Sequence, residues 1–219
     1  MLVNSKELFK KAQEGHYAIP SANVLDMESI KYHVGVAQEL GLPLIVGVAE
    51  AHLGDNLTLE DAALVGKKYA DAASVPVVLH LDHGMSVETC KKAIDLGFTS
   101  VMIDASMKSF EENVAITKEV VEYAKAKDVS VEAEIGHVAS NFDENDTDAL
   151  YTTAEEAKKF CEESGCDSLA ISIGTAHGVY KAKAIPEISF DRLAEIHAAT
   201  DVPLVLHGGS GSGDDGGHV

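Results

Sequence analysis

The chain has 219 residues, 46% of them apolar, and its 36 acidic and 17 basic side chains give a formal charge of −19. That length and apolar share suit one domain with a sizeable core and exclude disorder as a description of the whole chain. The charge excludes nucleic acid and anionic membrane surfaces as main partners, since both would repel it.

Short apolar, β-branched runs alternate with longer amphipathic stretches. In chain order, strands are predicted over Tyr17–Val24, Pro43–Ala49, Val75–His83, Ser100–Ala105, Val129–Gly136, Ser168–Gly174 and Pro203–Gly209. Each run is too short for a typical helix and apolar on both faces, as buried parallel strands are. Helices are predicted between them, over Asp26–Leu40, Thr58–Ala73, Ser86–Leu96, Phe110–Lys127, Thr153–Ser164 and Ser189–Ala199. Gly41 and Gly97 suit C-terminal caps, and Thr58 with Asp61 suits an N-terminal one. Phe98, Met102 and Met107 read as core and rim packing.

Seven βα units without a linker imply a parallel sheet with right-handed crossovers. Polar residues collect at the C-terminal ends of several strands, which favours a (β/α)8 barrel over an open sheet with one switch point. The fold class expected is therefore α/β, a TIM barrel spanning 1–219 as a single domain. No eighth unit is recognisable, because 210–219 is rich in Gly and Asp without an apolar period. We therefore expect the natural protein to continue beyond Val219.

Cys90, Cys161 and Cys166 form no Cys-x-x-Cys pair and read as reduced thiols packed as small apolar residues. The opening MLVNSKELFKKAQEG lacks the apolar centre of a signal peptide. No apolar run nears the ~18 residues of a membrane span. A cytoplasmic location is expected.

The strand ends carry His80-Leu81-Asp82-His83-Gly84, Glu132-Ala133-Glu134, Gly174-Thr175-Ala176-His177-Gly178 and His207-Gly208-Gly209-Ser210. Glu132 and Glu134 are two residues apart, so they share one face of a strand, and two inward carboxylates need a cation or donors. His83, His177 and His207 are far apart in sequence but can converge on a barrel rim. Three imidazoles leave a metal with an open position, as catalytic zinc requires. Glycines beside His177 and His207 expose N–H groups suited to phosphate. The residues alone point to a metal-dependent barrel enzyme.

These strings resemble the class II, zinc-dependent fructose-bisphosphate and tagatose-bisphosphate aldolases. The resemblance rests on VVLHLDHG (77–84), VMIDAS (101–106), FEEN (110–113), VEAEIG (131–136), IGTAHGVYK (173–181) and LHGGSGSGDD (206–215). YAIPSANV (17–24) and LYT (150–152) are shorter echoes. The resemblance implies a lyase that reversibly cleaves a ketose 1,6-bisphosphate to dihydroxyacetone phosphate and glyceraldehyde 3-phosphate through an enediolate. It implies that His83, His177 and His207 ligate catalytic Zn2+, with Glu134 and Asp104 at an alternative or second metal position. Asp82 corresponds to the proton donor for the aldehyde oxygen. Asn23, Gly178, Gly208, Gly209 and Ser210 correspond to substrate contacts, and a monovalent cation, Na+ or K+, is bound by some family loops there. Relatives imply a homodimer or homotetramer.

The chain departs from the family at two places. Phe142 falls where a loop carboxylate is expected, with Asp143 or Glu144 as substitutes, and Ala49 replaces a Ser that contacts phosphate in many members. These departures leave room for another phosphorylated ketose or sugar acid as substrate. A non-catalytic barrel that assists an aldolase partner is the rival reading. The retained His residues and Asp82 argue against it.

Overall fold

The computed structural model describes residues 1–136, 151–175 and 188–209. Seven strands form one sheet in chain order: β1 (Ser21–Asn23), β2 (Leu44–Ala49), β3 (Val77–Gly84), β4 (Ser100–Ile103), β5 (Ser130–Ile135), β6 (Ser168–Ile171) and β7 (Leu204–Val205). The β1–β2, β2–β3, β3–β4 and β6–β7 ladders are parallel. Seven helices among the described residues alternate with them: α1 (Lys6–Gly15), α2 (Met27–Leu40), α3 (Leu59–Ala72), α4 (Val87–Leu96), α5 (Phe110–Lys125), α6 (Ala154–Ser164) and α7 (Phe190–Ala199). The α/β class and the alternation expected from sequence are therefore present. No described helix is long and apolar enough to cross a membrane.

Local chemistry starts and stops these helices. Asp26 accepts the N–H of Ser29 at 2.7 Å while the Ser29 hydroxyl accepts from the N–H of Asp26, a reciprocal cap on α2. The Ser29 N–H first, and its hydroxyl second, hold the Asp26 carboxyl below its ordinary value. Thr58 with Asp61 and Thr153 with Glu156 cap α3 and α6 in the same way. α2 ends at Gly41 with φ 68°, as the sequence predicts.

Three expectations need adjustment. The first strand begins at Ser21, not Tyr17, because the Tyr17 N–H closes the end of α1 on the Ala12 carbonyl at 3.1 Å. β7 spans only two residues. Phe98 and Met102 are buried, but Met107 is exposed, so it is not a core residue.

The chain packs as two compact units, Met1–Asp104 with Glu119–Glu132, and Ala105–Lys118 with Ala133–Val219. In the first, β2 and β3 are buried along almost their whole length, and Val78 packs with Leu8 of α1 and Ile45 of β2. In the second, Phe160 of α6 meets Phe110 edge-on, with ring centroids 5.9 Å apart. Leu169, Ile171, Ile173, Ile188 and Ile196 complete that core. All three cysteines are buried free thiols, as expected for packing residues.

Candidate active site

In a regular strand, Asp82 and His83 would point to opposite faces. β3 is not regular there. Leu81 pairs with Val101 and Gly84 with Ile103, so β3 carries one residue more than β4 over this stretch, a bulge. His83 absorbs the extra residue with φ 47°, the left-handed region that non-glycine residues visit sparingly. The bulge brings the neighbours together, with Asp82 Oδ1 3.8 Å from His83 Nε2.

Gly84 makes the bulge fit. A Cβ at that position would lie 2.6 Å from the Met102 carbonyl oxygen and 2.7 Å from Cys90 Sγ. The Gly84 carbonyl in turn accepts the Asp104 N–H at 2.9 Å, which docks Asp104 beside the bulge. The Asp104 Oδ2 then meets His83 Nδ1 at 2.8 Å. With the Nδ1 proton donated to Asp104, Nε2 keeps its lone pair. A carboxylate behind an imidazole is the arrangement that orients metal-ligating histidines. Ligand atoms of Asp82 and His83, and of His83 and Asp104, lie within 4.8 Å of each other. Nitrogen and oxygen donors of this kind suit zinc, so the donor set fits such an ion.

One layer deeper, His80 Nδ1 hydrogen-bonds the Ser100 hydroxyl at 2.8 Å, and its Nε2 lies 3.9 Å from Glu132 Oε2. His80 and Glu132 are buried. This cluster was visible in sequence only as flanking polar residues.

Glu134, two residues beyond Glu132 on the same face of β5, is 0% exposed. Its backbone carbonyl accepts from Asn113 Nδ2 at 2.8 Å, and Asn113 Oδ1 accepts from the Thr117 hydroxyl at 3.2 Å. The next carbonyl, of Ile135, accepts from the Thr152 hydroxyl at 2.8 Å. The strand is thus pinned at two successive carbonyls, that of the carboxylate-bearing residue and the next. Sequence reasoning gave Asn113 no role. The available signal was a polar pair, Asn113 and Thr117, four apart on a face that continues with buried Val120 and Ala124.

Asn23 ends β1 opposite Gly47 of β2. A side chain at Gly47 would come within 2.8 Å of Asn23 Oδ1, so glycine there leaves Asn23 its place. Ala49 pairs with Asp82 at the end of β2. His207, Gly208 and Gly209 follow β7 and are partly exposed, with Gly208 at φ 71°. His177, Gly178, Ser210, Phe142, Asp143 and Glu144 lie outside the described residues.

Glu50, at the head of the 3-10 turn Glu50–His52 after β2, also escaped the sequence reading. Its carboxylate accepts the Met85 N–H at 2.6 Å and the Thr89 hydroxyl at 3.0 Å. Its charge adds to burial in pushing the Cys90 thiol up to about 12. Cys90 is therefore a neutral packing group, and not a nucleophile, at neutral pH.

The family described as fructose-bisphosphate aldolase class-II matches residues 3–217. A fructose-bisphosphate aldolase of Staphylococcus aureus (strain Mu50 / ATCC 700699) is 43% identical over 214 residues, 96% of this chain and 74% of that protein. A 6-phospho-5-dehydro-2-deoxy-D-gluconate aldolase of Halalkalibacterium halodurans is 42% identical, over 97% of this chain and 74% of that one. Among solved structures, the YdjI aldolase from Escherichia coli K12 superposes with a TM-score of 0.84 at 36% identity, covering 95% of this chain and 73% of that one. The chain belongs to the class II fructose-bisphosphate aldolase family and is an aldolase, a lyase of carbon–carbon bonds.

Proposed function

We propose that this aldolase reversibly cleaves a ketose 1,6-bisphosphate, fructose or tagatose, to dihydroxyacetone phosphate and glyceraldehyde 3-phosphate with zinc as cofactor. The observation that carries the reading is the Asp104–His83–Asp82 constellation, with its 2.8 Å and 3.8 Å separations at a bulged strand end. In this reading His83, His177 and His207 hold the ion, and Glu134 and Asp104 serve an alternative or second position. When bound, the ion supplies Lewis acidity for the charge that develops as the carbon–carbon bond breaks.

The chain's own residues do the rest. Asp104 keeps the Nδ1 proton of His83 and so sets which ring nitrogen is the ligand. Asp82 exchanges a proton with the hydroxyl that becomes the aldehyde, as a general acid and base. Asn23 binds the sugar, and backbone N–H groups at Gly178, Gly208, Gly209 and Ser210 receive phosphate. A monovalent cation, Na+ or K+, belongs to the same loops. The seven strands are read as part of a (β/α)8 barrel, in a cytoplasmic homodimer or homotetramer.

A second reading has an observation of its own. The Halalkalibacterium relative, named for a phosphorylated sugar acid, is as similar as the one named for fructose bisphosphate. Ala49 stands where the family resemblance implies a phosphate-contacting Ser.

A coupled assay for triose phosphate should be run on fructose 1,6-bisphosphate, tagatose 1,6-bisphosphate and 6-phospho-5-dehydro-2-deoxy-D-gluconate. The expected result is turnover of one of the two bisphosphates, abolished by chelator and restored by zinc. Asp82→Ala is expected to lower kcat at least ~100-fold. Preference for the sugar acid selects the second reading, and activity that survives chelation overturns the zinc mechanism.

A further inference from the structure

We propose that Glu50 is a positioning residue for His83, holding the strained turn that presents this imidazole to a metal ion. The inference rests on the zinc reading above and deepens it.

The backbone leaves β3 through His83 at φ 47° and Gly84, then enters α4 at Val87 after Met85 and Ser86. A left-handed non-glycine residue persists only where its surroundings over-determine it. Gly84 is held on one side by its ladder partner and the Asp104 N–H. On the other side the next backbone group, the N–H of Met85, is given to Glu50 Oε2 at 2.6 Å. The second carboxylate oxygen takes the Thr89 hydroxyl at 3.0 Å, so the carboxylate is fixed at two points. These are charge-assisted bonds, stronger than neutral ones. Glu50 comes from the end of β2, 35 positions earlier in the chain than Met85. It therefore ties the turn after His83 to a neighbouring strand, which a local cap cannot do.

The bland alternative is that Glu50 only helps to start α4. That role already has an occupant. Ser86 caps the helix by accepting the Thr89 N–H at 3.0 Å. Ser86→Ala removes the cap and its 3.0 Å contact with the Thr89 hydroxyl but leaves the Met85 bond on Glu50, which makes it the control for helix starting.

The test is zinc affinity of the metal-stripped full chain, read by competition with a chromogenic chelator, beside the visible spectrum of the Co2+ form. Wild type should bind zinc and His83→Ala should lose it. Glu50→Ala should weaken zinc about 10-fold or more, on the scale of outer groups that orient metal ligands, and should alter the Co2+ spectrum. Glu50→Gln keeps an acceptor for Met85 and should recover affinity to within about 3-fold of wild type, since one bond of the pair survives. Ser86→Ala should lower Tm without moving zinc affinity. If Glu50→Ala does not fold, Glu50→Asp, one carbon too short to span both donors, replaces it with the same expectation. Zinc affinity in the Glu50 variants equal to that of Ser86→Ala overturns the positioning role while leaving the zinc reading standing. Failure of wild type to bind zinc, or full binding by His83→Ala, overturns both.

Discussion

Gly84 shows how narrow the tolerance at this site is. Its missing side chain is what lets β3 lie against the Met102 carbonyl, Cys90 and Leu81, since a Cβ would approach all three within 3.0 Å. One of these contacts is backbone, so rotation of a side chain cannot relieve it. Gly84→Ala should lose about 1–3 kcal/mol of stability, the usual cost of overpacking. It should also lose aldolase activity beyond what the lost stability explains, because His83 and Asp104 hang on the two sides of this contact. Denaturant unfolding beside the cleavage assay measures both. Wild-type stability would mean that the strands separate there at little cost.

Among the elements, α5 supports β5 through a polar contact inside an apolar face. Asn113 donates to the Glu134 carbonyl and accepts from Thr117, and all three residues are buried. Truncating it removes one hydrogen bond to this buried carbonyl, which costs about 0.5–1.5 kcal/mol. Asn113→Ala should therefore shift the urea midpoint downward. Asn113→Asp, which cannot donate when ionised, should do at least as much harm despite its similar size. A neutral outcome for both would show that α5 holds β5 by apolar packing alone. At its own start α5 repeats the capping logic of α2 and α3: Glu112 accepts the Ser109 N–H at 3.1 Å, and this bond holds its carboxyl below the ordinary value.

At the scale of the whole molecule, charge is the dominant unbalanced term. A formal −19 on 219 residues means that most carboxylates see more like charges than opposite ones. The exposed pairs Lys91–Glu119 and Lys92–Glu60, both at 2.7 Å, offset little of this, because water and salt screen exposed charges. Salt shortens the range of repulsion to about 10 Å at 0.1 M. Screening should then relieve more repulsion than attraction, and Tm should rise by a few degrees between 10 and 300 mM NaCl. A Tm that falls with salt would show that the surface pairs outweigh the net charge.

The sequence by itself determined the seven alternating units, the placement of most helix ends and the strands whose ends hold the candidate residues. Those properties depend on short-range causes: the period of apolar residues, side-chain caps such as Thr58, and the left-handed freedom of Gly41. It also singled out Asp82, His83, Asp104 and Glu134 as candidates through strings that resemble one family. Only the tertiary structure decided how Asp82 and His83 come to lie together, because a bulge exists only relative to the register of β4. The same holds for Glu50 and Asn113. Each acts on a backbone group distant in sequence, Met85 or Glu134, and hydrogen bonds across such separations follow from how strands and helices pack, not from the pattern of residues along either segment.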